Sequence, residues 1–349
     1  MKISRKNRPT LHDVAKAAGV GTTTVSRVIN GGHYVGPEML ARIQSVMAEL
    51  GYQPNEAARS LKSERSRTIG LIIPSITDPF FARFAEVVEV HARREDYVVI
   101  LLTSQDRAQL ELEDLQIFER HRVDGLLVVP PRSGSSSKAL LQSLRRLSVP
   151  VVAFDRPTTN RAFSSVVSDN YAAAQQAVRH LMGHGRRRIL CLGGDPNLYT
   201  ICERVKGSTD ALASAGFEVL VEMSASDYAS AEAAIMKHMA GKHKLDAIFG
   251  LYNQSTILAY EVMQNYKIRV PQAVSLIGFD DFALAATLRP SITVVKQSIE
   301  ELARTATQLL LNHMKGETHA PQQIEIASSL VIRQSCGCKA PRESLRARS

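Results

Sequence analysis

Cysteine is scarce, with Cys191, Cys202, Cys336 and Cys338 the only four in 349 residues. That is too few for a scaffold held by disulfides. Cys336 and Cys338 stand one residue apart, but no second group of ligands lies beside them in the sequence. They read as two ordinary thiols rather than a metal site. No run approaches the ~18 apolar residues of a membrane span. Met1 to Thr10 is basic, yet no apolar stretch follows it, which argues against a secretory leader. The expected location is therefore the cytoplasm, with no membrane contact. Enzyme signatures are missing as well. Gly193-Gly194-Asp195 follows a strand-like run without making G-x-G-x-x-G, and there is no P-loop. No Ser-His-Asp or Cys-His arrangement stands out, and His12, His33, His91 and His121 show no metal spacing. His180 and His184 are four residues apart, but Gly183 and Gly185 flank the second, and the glutamate of H-E-x-x-H is absent. They read as helix-end histidines. Neither an enzyme nor a bound cofactor or metal is expected.

What is present begins with an uneven charge. The formal net charge is +9. Residues 1–67 hold 11 Lys/Arg against 5 Asp/Glu, residues 339–349 hold 4 against 1, and the intervening stretch holds 28 of each. A small basic head on a neutral body suits a polyanionic partner. Within the head, Thr10 and Asp13 are placed to cap a helix, along which Leu11, Val14, Ala15 and Ala18 make one apolar face. Gly19 ends it in a left-handed turn. A second helix buries Val25, Val28 and Ile29 and leaves Thr22, Thr23, Thr24, Ser26, Arg27 and Asn30 on other faces. Two short helices joined through a glycine turn are a helix-turn-helix, whose second helix enters the major groove; a helical hairpin with a polar face is the alternative. A third helix starts near Pro37, with Leu40, Ile43, Met47 and Leu50 on its core side, and Gly51 closes it. Asn55 then caps a segment of about two turns, too short to stand alone in water.

From Thr68 the chain alternates strand-like runs with helices. The runs are 69–73, 97–102, 125–129, 151–154, 189–192, 247–251 and 274–279. This order implies parallel sheets covered by helices, arranged as two similar halves. Ligands of such sheets bind at the carboxyl ends of the strands. Asp78, Phe80, Phe81, Asp155, Arg156, Asp169, Asn170, Asp280 and Asp281 all fall there. Carboxylates accept hydrogen bonds from hydroxyls, and aromatic faces cover sugar rings.

Several segments together resemble the LacI/GalR family of bacterial regulators. They are DVAKAAGV at 13–20, TVSRVINGG at 24–32, ELGYQPN at 49–55, ARSLKS at 58–63, RTIGLIIPSITDPFF at 67–81, DGLLVVP at 124–130, PVVAFDRP at 150–157, RVPQAVSLIGFDD at 269–281 and RQSCG at 333–337. The resemblance spans about 9–337. It implies an all-α helix-turn-helix head over 1–52, a hinge helix over 53–66, and a periplasmic-binding-protein-like α/β body over 67–338. The body would hold two Rossmann-like parallel-sheet subdomains, about 67–167 with 298–327 and about 168–297 with 328–338. A disordered basic tail would follow at 339–349. By the same resemblance, Thr22, Thr23 and Arg27 read bases; Thr10, Thr24, Ser26, Asn30, Tyr34, Asn55 and Ala58 belong to the DNA-contacting set. Leu61 wedges into the minor groove and Lys62 reaches it. Phe80, Phe81, Asp155, Asp169, Arg204 and Asp280 match effector positions, with Arg204 in an Arg-x-x-Gly element.

The resemblance implies a homodimeric repressor on a pseudo-palindromic operator, switched by a sugar-type effector. Departures from the family pattern are Tyr252-Asn253 in place of Asn-Asp, Gly21 in place of a serine, and Gly36 in place of a serine cap. The tail lacks leucine heptads, so a dimer is expected. Arg156, Arg204 and Lys296 as cleft cations favour a gluconate-type acid, because guanidinium groups pair with carboxylates. A neutral sugar or nucleobase effector is the alternative, and a sugar-binding protein without a regulatory role a remote one.

Overall fold

In the computed structural model, residues 9–29, 35–52, 66–131, 135–158, 161–223, 225–240, 244–317 and 320–338 are described. They belong to two units, Met1–Arg67 and Thr68–Ser349. Asn30, Tyr34, Asn55, Ala58, Leu61 and Lys62 lie outside the described residues, as do positions 53–65 of the expected hinge and all of 339–349.

In the first unit, α1 (Leu11–Ala18) opens on a capping box: the Asp13 N–H donates to Thr10 Oγ1 at 3.3 Å, and the Thr10 N–H donates to Asp13 Oδ2 at 2.7 Å. Gly19, at φ +64°, turns the chain into α2 (Thr22–Ile29). The third helix, α3, is Pro37–Leu50. Val14, Ala15, Ala18, Val25 and Ile43 form the core, flanked by Val20, Val28, Ile29, Val46 and Met47. Leu40 and Leu50 depart from the sequence reading, for both are exposed. The cause is length. At 1.5 Å per residue, two eight-residue helices offer about 12 Å of cover to a fourteen-residue helix of about 21 Å. Its middle is therefore buried and its ends are not.

The second unit alternates strand and helix: β1 (Thr68–Ile73), α4 (Pro79–Arg94), β2 (Val98–Thr103), α5 (Ala108–His121), β3 (Gly125–Val128), α6 (Ser135–Arg146), β4 (Val151–Phe154), β5 (Ser164–Ser168), α7 (Asn170–Gly183), β6 (Ile189–Leu192), α8 (Tyr199–Ser214), β7 (Leu220–Glu222), α9 (Tyr228–Met239), β8 (Ala247–Gly250), α10 (Asn253–Asn265), β9 (Ser275–Phe279), β10 (Thr293–Lys296), α11 (Ile299–Met314), β11 (Gln323–Ile326) and β12 (Ser329–Val331). The strands form two six-stranded sheets, β11-β5-β4-β3-β1-β2 and β12-β10-β9-β8-β6-β7. All neighbours are parallel except β12, which runs antiparallel to β10. Strands buried on both faces explain the continuous apolar runs; each lobe has two hydrophobic clusters made of its strands and helices.

The chain passes between the sheets three times, at 168–170, 296–299 and 326–329. The crossings are laced together. Ser168 Oγ donates to Gln297, Ser298 Oγ donates to the Ala327 carbonyl at 2.9 Å, and the Ser328 N–H donates to Asp169 Oδ1 at 2.8 Å. Three linked crossings hold the lobes face to face and define a cleft where strands of both sheets end.

Candidate functional site

Each wall of the cleft starts from the same local device. β4 ends in Phe154-Asp155 and β9 in Phe279-Asp280, the third strands of their sheets. Both aspartates take a left-handed backbone, φ +63° and +71°, which breaks the strand and turns the carboxylate off the sheet. Asp78 follows β1 and caps α4, accepting the Phe80 N–H at 2.9 Å. Phe80 and Phe81 pack edge to face, with centroids 5.0 Å apart. Arg204 comes from α8. Gly207, one turn later, lets α8 press on α7, because a Cβ there would fall 2.2 Å from the Tyr171 carbonyl oxygen. This close approach brings Arg204 Nε within 2.8 Å of Asn170 Oδ1. Its Nη1 donates to the Leu251 carbonyl at 2.7 Å, and the guanidinium lies 3.5 Å above the Phe279 ring.

These groups line one cavity of about 250 Å³, together with Arg156, Gly194, Asp195, Leu198, Thr200, Ile201, Tyr252, Asn253 and Gln297. Of the sequence-predicted effector residues, Phe80, Phe81, Asp155, Arg156, Arg204, Tyr252, Asn253 and Asp280 are brought together. Two are not. Asp169 is engaged at the crossing by Ser328. Lys296 is exposed, and its neighbour Gln297 turns inward to donate to Asp280 Oδ1 at 2.5 Å. Thr200, Ile201 and Gln297 also line the cavity, and nothing in the sequence marks them; Asp195, within a Gly-Gly-Asp that falls short of a nucleotide motif, is marked as a carboxylate just past a strand.

The charges do not match a site built for an acid. Four carboxylates, Asp78, Asp155, Asp195 and Asp280, face two guanidiniums, and both cations are engaged already. Arg156 reaches Asp106 through two nitrogens, at 2.6 and 3.3 Å, and donates to the Pro130 carbonyl at 3.1 Å. Its Nε lies 3.3 Å from Asp155. Arg204 lies 3.6 Å from Asp280. Burial pushes Asp155 up to about 6 against the pull of Arg156 and Arg204. Burial likewise raises Asp78, with the Phe80 N–H opposing, and it lowers Arg204, which Asp280, Asp155 and Asp78 hold in its charged form. Tyr252 donates through its hydroxyl to the Ala225 carbonyl at 3.2 Å.

On the head, α2 exposes Thr22, Thr23 and Arg27, half-buries Thr24 and Ser26, and sinks Val25 into the core. The Thr10 hydroxyl is spent on the α1 cap. An exposed hydroxyl-and-guanidinium face on a basic unit is chemistry suited to phosphates and base edges.

Residues 10–55 match the "Bacterial regulatory proteins, lacI family", and residues 66–334 match the "Periplasmic binding proteins and sugar binding domain of LacI family". The chain belongs to the LacI family. Among its relatives is the "HTH-type transcriptional repressor PurR" of Photobacterium profundum, 31% identical over 335 residues, 93% of this chain and 98% of the relative. The "Ribose operon repressor" of Bacillus subtilis (strain 168) is 32% identical over 329 residues, 93% of this chain and 98% of that protein. In fold, the lac repressor dimer bound to operator and the anti-inducer ONPF superposes with a TM-score of 0.85 at 23% identity, covering 95% of this chain and 99% of that one. This LacI-family chain is a DNA-binding transcriptional repressor under the control of a small effector, and its relatives are regulators rather than enzymes. Among the described residues, no helix is long and apolar enough to cross a membrane.

Proposed function

We propose that the effector is a neutral, polyhydroxylated sugar of monosaccharide size. One observation carries this reading: the cavity holds four carboxylates, and its two guanidiniums are already matched by protein acceptors. An acid entering it would meet a lining with more carboxylates than guanidiniums, whereas sugar hydroxyls donate to carboxylates, and Phe80 and Phe81 supply the apolar face. The expected gluconate-type acid rested on Arg156, Arg204 and Lys296 as available cations. It is set aside because two are paired and the third is exposed. The volume, just below the ~300–1,000 Å³ of ordinary small-molecule sites, suits one sugar ring. The ribose operon repressor among the relatives agrees with a sugar; a nucleobase is the second reading, favoured by Tyr252 lining the same cavity as the two phenylalanines, since aromatic faces suit a flat ring.

A thermal-shift screen of the full chain against neutral sugars, sugar acids, sugar phosphates and purines tests the assignment. A ligand at ~100 times its Kd stabilises by about 2.7 kcal/mol, a shift of several degrees. A shift with a neutral sugar alone supports it, a shift with a sugar acid overturns it, and a shift with a purine moves the site to the nucleobase class.

On DNA, the reading is a homodimer on a pseudo-palindromic operator, since a two-fold protein reads two half-sites. Thr22, Thr23 and Arg27 meet bases, and Leu61 acts at the minor groove. Leu61→Ala is expected to weaken operator binding while the effector-induced thermal shift is kept; unchanged operator affinity would remove Leu61 from that role. Effector and operator affinities are linked by reciprocal coupling.

A further inference from the structure

The two cysteines that stand alone in the sequence do not stand alone in the fold. His180, in the last turn of α7, and His184, its C-cap, meet Cys336 and Cys338 across more than 150 residues of chain. One ligand atom from each lies within 4.8 Å of all the others. His184 Nε2 is 3.1 Å and His180 Nε2 3.6 Å from Cys338 Sγ. The two imidazoles sit edge to face, with centroids 4.9 Å apart. We infer that this cluster is a tetrahedral zinc site, Cys336, Cys338, His180 and His184, which clips the segment after β12 to the end of α7.

The local structure is built to present these ligands. Histidines four residues apart fall on one side of a helix end. The cysteine segment is tied down on the other side. Ser335 Oγ donates to the Leu276 carbonyl at 2.6 Å and accepts the Thr293 N–H at 2.8 Å, and Ser275 Oγ donates to the Cys336 carbonyl at 3.0 Å. Gly337 sits between the cysteines at φ +109°, against His184, where a Cβ would be 3.6 Å from Nδ1. That backbone brings both thiols to one side and strongly favours glycine.

The chemistry selects the ion. Two sulfurs and two imidazole nitrogens gathered within 4.8 Å of one another suit tetrahedral zinc, at about 2.3 Å to sulfur and 2.0–2.1 Å to nitrogen. Closing the present spread to those lengths takes about an ångström, within the reach of side-chain rotation. Two thiolates balance the dication and the imidazoles stay neutral, so a partly buried site carries no net charge. The two thiol protons pass to solvent on binding. The C-terminal end of α7 adds a negative dipole end, which favours a cation. None of the four residues lines the effector cavity. Arg204, which does line it, donates to Asn170 at the other end of α7, about 20 Å away along fourteen residues.

The test uses the full chain, reduced and stripped with a chelator under anaerobic conditions, then titrated with cobalt(II). The expected result is one cobalt per chain with the intense visible bands of tetrahedral coordination and a thiolate-to-metal charge-transfer band. Zinc should displace the cobalt and raise the Tm of the stripped protein by several degrees. Cys338→Ser and His184→Gln should abolish the bands. Both positions are partly or fully exposed, so their loss spares the core that Cys336 belongs to. Cys202→Ser, on α8, should keep them. Weak octahedral absorption in the reduced wild type would overturn the site. So would bands that survive in both variants, or a Cys336–Cys338 disulfide whose reduction restores thiols but no metal binding.

Discussion

The two lobes of the body share one strand order, and the sixth residue of the helix after the fifth strand of each sheet then compares directly. In the first lobe it is Phe84 of α4, and in the second Arg204 of α8. Each covers the phenylalanine of a Phe-Asp strand end. Phe84 stacks on Phe154 with ring centroids 3.8 Å apart and planes 4° off parallel, while the Arg204 guanidinium lies 3.5 Å from the centre of Phe279. The second and third residues of the same helices, Phe80 and Phe81 against Thr200 and Ile201, all line the cavity. One scaffold thus puts a phenylalanine over one strand end and a guanidinium over the other through a change of a few side chains. The first lobe also brings Asp78, Asp155 and Arg156 to the cavity, and Arg156 links that wall to Asp106 behind it, near the fully buried Glu111.

The sharpest way to break this comparison is to remove both covers. Phe84→Ala and Arg204→Met should each cost about 3–5 kcal/mol in urea unfolding, the first by opening a cavity and the second by stranding carboxylates. They should differ in pH dependence. The cost of Phe84→Ala should be flat, whereas that of Arg204→Met should shrink as pH falls toward about 6, because without the guanidinium Asp155 takes its proton at a higher pH than in the parent. Equal pH profiles would mean that the guanidinium acts as packing alone. Next in size, Asp280→Asn should weaken effector binding by roughly 10–100-fold, about 1.5–3 kcal/mol for hydrogen bonds to a charged group, read by calorimetry with the fold retained.

Glu111→Gln probes the deep charge of the first lobe. Burial, reinforced by Asp106, lifts Glu111 to about 7 from 4.5. Between those values the folded chain keeps a proton that the unfolded chain has lost, so stability falls as pH rises through the window. The substitution should therefore stabilise by on the order of 2 kcal/mol at about pH 8 and by nothing below about pH 4. A loss at about pH 8 would show that the carboxylate is needed by Arg156. Smallest of all, Lys296→Ala should change stability by less than about 0.5 kcal/mol and leave effector affinity unchanged.

What the sequence disclosed follows from how each feature is encoded. β4 and β6 were legible to the residue because strands buried on both faces are continuous apolar runs. β5 was not, because Ser164, Ser165 and Ser168 are buried on hydrogen bonds rather than apolarity. The capping box at Thr10 and Asp13 was legible because a cap is local; the exposure of Leu40 and Leu50 was not, because it depends on the lengths of other helices. In the cavity, strand-end aspartates and phenylalanines announced themselves by position. Whether a cation is available is a matter of partners, and those of Arg156 and Arg204 come from Asp106 and Asn170, 50 and 34 residues away. The His–Cys cluster is the extreme case, assembled from groups each of which reads alone as unremarkable chemistry.

The interleaved path of the chain also sets an order of assembly. The first lobe takes α11 and its edge strand β11 from residues 299–326, made only after nearly all of the second lobe, and the second lobe takes β12 from 329–331. A chain emerging from the ribosome therefore holds both sheets one strand short until residues 323–331 are made, and until 302–310 are made the apolar surface of Leu302, Leu309 and Leu310 is missing from the first core. Neither lobe is one continuous stretch of chain, and completing both sheets depends on contacts distant in sequence.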